Sequence, residues 1–289
     1  MTQVLQQLHN LSDDRIECQI RDRLSFMRFL GLQLEDQVPD AKTVWLFRER
    51  LTHAGLIDVL FARFDEQLAA HGYVARAGQM IDATFIEVPR QRNHREENEQ
   101  IKANETPADW QLPQAKLRQK DVDARWTKKN NESHYGYKNH VNVDQANKLI
   151  QCFQVTNAAV HDSQAFDFLP DQAAQEDGGK RAVYADSAYR SQEKEAQLAA
   201  AGIPSRICEK GVRDRPLTEL QKAMNKAKSK VRARVEHVFG AQAQMGGHFV
   251  RTIGHLRARF KIGMMNLVYN MVRLGQLHKR DRRVAPAVT

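Results

Sequence analysis

The sequence predicts a mixed α/β fold in which a helical N-terminal portion precedes a sheet flanked by helices. Three observations carry that expectation. Up to about residue 75 the apolar residues recur mostly at three- and four-residue steps, the period of one helix face. From Gln79 the period shortens, and successive segments are rich in β-branched and aromatic residues with partial alternation. Beyond His161, segments of helical and strand character alternate, as in a layered α/β domain.

The elements follow in chain order. Asp40 stands before a run in which Val44, Phe47, Leu51, Leu56, Val59, Leu60 and Phe64 mark a helical face, with Gly55 as a break. QMIDATFIEV, HYGYKNHVNVD and LIQCFQVTNA read as three strands in succession, the third after a DQANK turn. Between the first and second, Pro89 to Ser133 lacks aliphatic periodicity and is crowded with Asn, Gln and both signs of charge, so it reads as a polar insertion. HDSQAFDFLP suggests a short helix with Asp162 as its N-cap, GKRAVYAD a buried strand, SQEKEAQLAAAG a helix stopped by Gly202, and IPSRIC a further strand. Beyond Pro216, Leu217, Leu220, Met224, Ala227, Val231, Val235 and Val238 make one apolar stripe on a long helix, and Leu256 to Leu274 predict a last one. The domain boundaries expected are 1–75 for the helical portion, 76–283 for the sheet-and-helix domain with 90–133 as its insertion, and 284–289 as a tail.

Composition narrows the function. With 42% hydrophobic residues over 289 positions the chain can bury a sizeable core. Lys and Arg number 44 against 35 Asp and Glu, and the sequence pI is near 9.5, which favours nucleic acid as partner. The cation is concentrated: residues 206–283 hold 19 Lys or Arg and 5 Asp or Glu, net +14, and the remainder of the chain is net −5. Cys18, Cys152 and Cys208 are too few and too dispersed for a disulfide framework or zinc finger. No apolar run is long enough for a membrane span and the N-terminus lacks a signal-peptide layout, so a cytoplasmic protein is expected.

Three acids stand out. Asp82 lies inside a strand pattern, where a carboxylate must find a partner or a metal. Asp186 directly follows AVYA, at the C-terminal end of a buried strand, the usual place for a site in an α/β sheet. Glu236 lies in RARVEHVFG on the long helix. Each has a plainer interpretation: Asp82 capping a loop or pairing with an Arg, Asp186 as N-cap of the helix starting near Ser191, Glu236 as a surface partner of Arg232. If the three meet, divalent cations must relieve their repulsion, and hard oxygen ligands suit Mg²⁺ or Mn²⁺. Two such ions roughly 3.5 to 4 Å apart could activate a water or DNA 3′-hydroxyl on one side of a phosphodiester and stabilise the leaving oxygen on the other. His134, His140 and His161 lie near the strands, but no spacing among them matches a zinc site, so they are expected to be structural or substrate-adjacent.

Five strings in order, IDATFIEVP, DARWTKKNNESHYGYKNHVNVD, VTNAAVHDSQAF, VYADSAYRS and RARVEHVFG, carry a resemblance to the DDE transposases of bacterial insertion sequences, specifically the insertion-sequence-five group. The likeness runs from about Asn10 to about Lys279. It implies an RNase H-like catalytic domain, Asp82, Asp186 and Glu236 as catalytic and metal-binding triad, and two Mg²⁺ or Mn²⁺ ions per site. Arg232 fills the family's Arg position four residues before the Glu. Where the family commonly has a Tyr three before that Arg and a Lys seven after the Glu, this chain has Ser229 and Ala243, so those roles do not carry over. Relatives usually have more chain ahead of the helical portion, so a shortened copy is expected.

The implied activity is metal-dependent cleavage and strand transfer at the ends of an element. The partners implied are double-stranded DNA, as terminal inverted repeats and target, and a homodimer or higher homo-oligomer at the bacterial nucleoid. A relic or domesticated endonuclease and an inactive DNA-binding protein are the competing interpretations. Lys226, Lys228, Lys230, Arg232 and Arg234 stand beside Glu236 and are expected to contact phosphate, the alternative being a solvated helix face. Arg48 and Arg50 in the helical portion are candidates for base discrimination, against the alternative that they only pack on the catalytic domain.

Overall fold

The structure, a computed structural model, describes residues 1–111, 114–129, 131–171, 179–212 and 215–284. Of the tail expected at 284–289, residues 285–289 lie outside the described residues.

Five helices open the chain: α1 (Thr2–Leu8), α2 (Asp13–Asp22), α3 (Leu24–Leu30), α4 (Ala41–His53) and α5 (Ile57–Ala70). Two are started by side-chain caps. The Ser12 hydroxyl accepts from the Arg15 backbone N–H at 3.2 Å, and Asp40 Oδ1 accepts from that of Thr43 at 2.7 Å, each satisfying a donor that the first turn leaves free. Gly55, at φ +63°, makes the left-handed turn between α4 and α5. Leu5, Ile16, Ile20, Phe26, Met27 and Val44 enclose a small core of their own. α5 belongs elsewhere, because Ile57 and Phe61 enter the main core.

The sheet contains β1 (Gln79–Glu87), β2 (Arg125–Lys129), β3 (Glu132–Asp144), β4 (Ile150–Asn157) and β5 (Val183–Tyr184). The three strands expected in succession are β1, β3 and β4, and both pairings are antiparallel, with Asp82 opposite Val141 and Asn139 opposite Val155. β5 adds in parallel to the free edge of β1. The extended segment 205–208 runs beside β5 but makes only one bridge with it, at Ser205, short of the strand expected from IPSRIC. Pro204 has no N–H to donate, so its contribution is limited to accepting from Val183 at 3.0 Å.

The insertion carries more structure than its polarity suggests: α6 (Arg95–Lys102), α7 (Ala108–Gln111), α8 (Gln114–Arg118) and β2. Its largest buried side chain is one aromatic ring. Trp110 is fully buried, its indole N–H donates to Glu97 at 2.7 Å, and the Lys116 and Lys120 ammonium groups lie 5.6 and 5.2 Å from the ring centroid. A single Trp wrapped by charged side chains leaves no apolar period to read.

Helices cover both faces. After α9 (Asp162–Ala165), the 3₁₀ turn Phe166–Phe168 and α10 (Gln192–Ala200) contribute to a core of Ile81, Phe166, Leu169, Val183, Tyr189, Leu198 and Ile207. The cap of α9 is His161, whose ring accepts from the Ser163 N–H; Asp162 instead accepts from Lys138 at 2.8 Å. On the other face lie α11 (Glu219–Arg232), α12 (Glu236–Gln244) and α13 (His255–Val284). The helix expected beyond Pro216 is therefore two, separated by a 3₁₀ turn at Ala233–Val235. Its stripe is buried only in its second half: Leu220 is 71% exposed, whereas Val235 and Val238 are fully buried. The first half is held to the 205–209 segment by polar contacts, Asn225 bonding both the N–H and the carbonyl of Glu209.

Candidate active site

Asp82 leaves β1 on the face covered by α11. Its Oδ1 accepts from the Ala83 backbone N–H at 2.9 Å and its Oδ2 accepts from the Arg232 guanidinium. The pair is largely enclosed, with side-chain exposures of 15% for Asp82 and 23% for Arg232. Burial raises the Asp82 carboxyl above its ordinary value and the charge of Glu236 adds to the rise, while Arg232 and the Ala83 N–H pull the other way. Burial pulls the Arg232 guanidinium down, but the charges of Asp82 and Asp186 outweigh it and hold the group above its ordinary value.

Asp186 is placed by strand register. β5 runs parallel to β1 with Met80 beside Tyr184. Asp82 stands two residues beyond Met80 on β1, and Asp186 two residues beyond Tyr184, just past the end of β5, so the paired ends bring both acids to the same region. Past β5 the chain turns into a 3₁₀ segment, Ser187–Tyr189, which Asp186 caps by accepting from the Ser187 N–H at 2.6 Å. The cap of α10 is Ser191, so Asp186 does not fill that role.

Glu236 is the first residue of α12, exposed, and close enough to act on Asp82 electrostatically. The Arg232–Glu236 surface pair does not form. A 3₁₀ turn has 3.0 residues per turn instead of 3.6, so four residues across it no longer return to one face, and Arg232 turns in to Asp82.

Sequence reasoning missed Tyr189. It is 1% exposed, its hydroxyl has no hydrogen-bond partner, and burial together with Asp162, Asp82 and Asp186 holds it well above its ordinary pKa. The signal was only its position in VYADSAYRS. His140, expected to be structural or substrate-adjacent, is fully buried against the Thr156 hydroxyl at 2.9 Å; burial lowers it to about 4, so it is neutral near pH 7.

The cations separate into two groups. Lys226, Lys230, Arg234 and Arg50 are exposed. Lys228 donates to the Ile207 carbonyl at 2.8 Å, and Arg48 is bidentate on Asp13, with Nη2 to Oδ2 at 2.8 Å. Arg48 thus ties α4 to α2 within the helical portion, and its pair is not with the catalytic domain.

Asp82, Asp186 and Glu236 fit a divalent cation in kind: all three are hard oxygen donors, and a buried carboxylate among like charges requires a positive partner, which Arg232 supplies here. Among the described residues, no three His, Cys, Asp or Glu side chains stand close enough together to hold a metal. Among the same residues, no helix is long and apolar enough to cross a membrane.

Residues 75–271 match the family described as Transposase DDE domain, and residues 1–50 match Transposase domain (DUF772). No solved structure matches the chain. The first match covers about two thirds of the sequence and contains all three acids, on β1, just past β5 and at the start of α12, with a mixed sheet covered by helices on both faces: this chain belongs to the DDE transposase family and has its RNase H-like α/β fold.

Proposed function

We propose that this transposase cuts DNA at the ends of its element and joins them to a target, using Asp82, Asp186 and Glu236 with Mg²⁺ or Mn²⁺. The observation that supports it most is that the charges of both Asp82, on β1, and Asp186, just past β5, act on the same partly buried Arg232. Asp82 and Asp186 would hold the cation, two ions in the full arrangement, with Glu236 approaching from the start of α12. When bound, such ions supply the activation of a water or 3′-hydroxyl and the stabilisation of the leaving oxygen.

The chain's own residues do the remaining work. Arg232 pairs with Asp82 and pulls against the burial that raises its carboxyl, favouring the charged form that a cation would bind. Lys226, Lys230 and Arg234 present positive charge beside Glu236, where the backbone of bound DNA would pass. They position DNA without reading it, so base discrimination falls to the helical portion, where Arg50 is free to contact it. Assembly as a homodimer or higher oligomer on DNA belongs to the same proposal.

A supercoiled plasmid carrying the element's ends, incubated with Mg²⁺, tests it. Asp82→Asn, Asp186→Asn and Glu236→Gln each keep volume and remove a ligand's charge, so each should abolish cleavage while DNA binding stays nearly intact. Substantial cleavage by any of the three would sink the assignment. Nicking without joining by the unaltered protein would favour a relic endonuclease, and binding without nicking an inactive DNA-binding protein.

A further inference from the structure

A cleft of about 770 Å³ separates the α1–α4 helices from the 246–254 loop and the first turns of α13. Two acids line it and both are taken: Asp13 by Arg48, and Glu49 by Arg257, whose Nη2 lies 2.7 Å from Oε2. Three further cations, Arg118, Arg251 and Lys261, also line it, and among the described residues none has a carboxylate within ion-pair distance. Lys261 is the informative one. An ammonium removed from water with no counter-ion is costly, and this one is held down to about 8, chiefly by burial and next by the charge of Arg48, against a weaker pull from Asp13. Gln7, 3% exposed, lines the same cleft with an Oε1 that has no partner. Trp45 and Phe249, 45% and 43% exposed, offer two aromatic surfaces at its walls.

We propose that this cleft is a second DNA-binding site of the chain, in which Lys261, Arg251 and Arg118 hold backbone phosphates of one strand while Trp45 and Phe249 lie against its sugars or bases. The proposal rests on the chain acting on DNA as a transposase. Charge selects the occupant: after internal pairing the lining keeps only positive charge, and an aromatic wall beside cations suits a nucleotide strand better than an acidic peptide. Position agrees. α12 begins at Glu236 and ends at Gln244, beside cleft residues Ala243 and Gly246, so at 1.5 Å per residue it carries DNA from the cleft to the acids over about 12 Å. A phosphate on Lys261 would also restore the counter-charge that the free protein denies it.

Equilibrium binding of the full chain to a fluorescein-labelled duplex across a salt series tests the site. Each lost phosphate contact should flatten the slope of log affinity against log salt by about 0.9, so Arg251→Gln and Lys261→Met should each show that change and their combination about twice it. Lys261→Met keeps the buried stem, and Arg251→Gln alters an exposed side chain, so the second stands even if the first unfolds. Unchanged slopes in Arg251→Gln and Arg118→Gln would overturn the proposal. Asp82→Asn should leave the slope as it is while abolishing cleavage, so failure at the cleft and failure at the acids are read separately.

Discussion

Asp82 occupies a strand position where a carboxylate persists only with a counter-charge, and the residue that supplies it lies 150 positions away in the chain. Removing that partner leaves a largely buried charge alone, which costs about 3 kcal/mol or more where such pairs are fully enclosed. Arg232→Gln should therefore lower the melting temperature in chelator and recover more with added Mg²⁺ than the unaltered protein does, because a cation replaces the lost charge. Equal Mg²⁺ responses in the two proteins would argue that Asp82 is not a ligand. The acids were legible because each is an acid in an apolar string, a local anomaly that one sequence displays. Their partners were not: Arg232 has equal reason, by spacing, to pair with Glu236, and only the 3₁₀ turn decides otherwise. Tyr189 looks like any core aromatic until its unpartnered hydroxyl is seen among three aspartates.

At the scale of elements, α13 illustrates how register is fixed by polar groups in an apolar face. Its period announces a helix, and Phe260, Met264, Leu267 and Val268 are buried as that period requires. What it cannot announce is the alignment. Asn266 accepts from Asn139 on β3 at 2.9 Å and from Gln242 on α12 at 2.7 Å, and Asn270 bonds both backbone groups of Ile150 on β4. All four side chains are essentially buried, so each unmade bond is expensive. Asn266→Leu should lower unfolding stability by about 1 to 3 kcal/mol, read as a smaller urea midpoint at unchanged slope. No shift in midpoint would mean that water replaces the lost bonds. Elsewhere, IPSRIC apart, helix and strand types followed their local periods, whereas interruptions did not. The break at Ala233–Val235 and the Trp110-centred insertion depend on contacts with distant residues.

For the molecule as a whole, the two helical layers join in a way that leaves an uncompensated cation between them, and pH should expose it. Lys261 on α13 faces Asp13 from α2, Arg48 and Glu49 from α4, and Arg257 on its own helix. Its folded value, about 8, lies below the ordinary 10.5. Below pH 8 the group is charged in both states and folding bears the full burial penalty. Between about 8 and 10.5 the unfolded chain holds more proton than the folded one, so stability due to this group rises with pH across that window. Lys261→Met should abolish the rise and be the more stable protein near neutrality, measured by urea unfolding on either side of pH 8. A parallel pH dependence in both proteins would place the lysine in water.

The pairing of β1 with β5 matters for more than where two carboxylates end up. Gln79 and Val183 are separated along the chain by the insertion, both antiparallel strands and α9, and closing a loop of that length is slow because its entropy must be lost before any contact repays it. A chain in which this pairing has not closed can thus hold its antiparallel strands while Asp82 and Asp186 are still apart. Whatever chemistry the two acids support therefore depends on the most non-local pairing of the sheet.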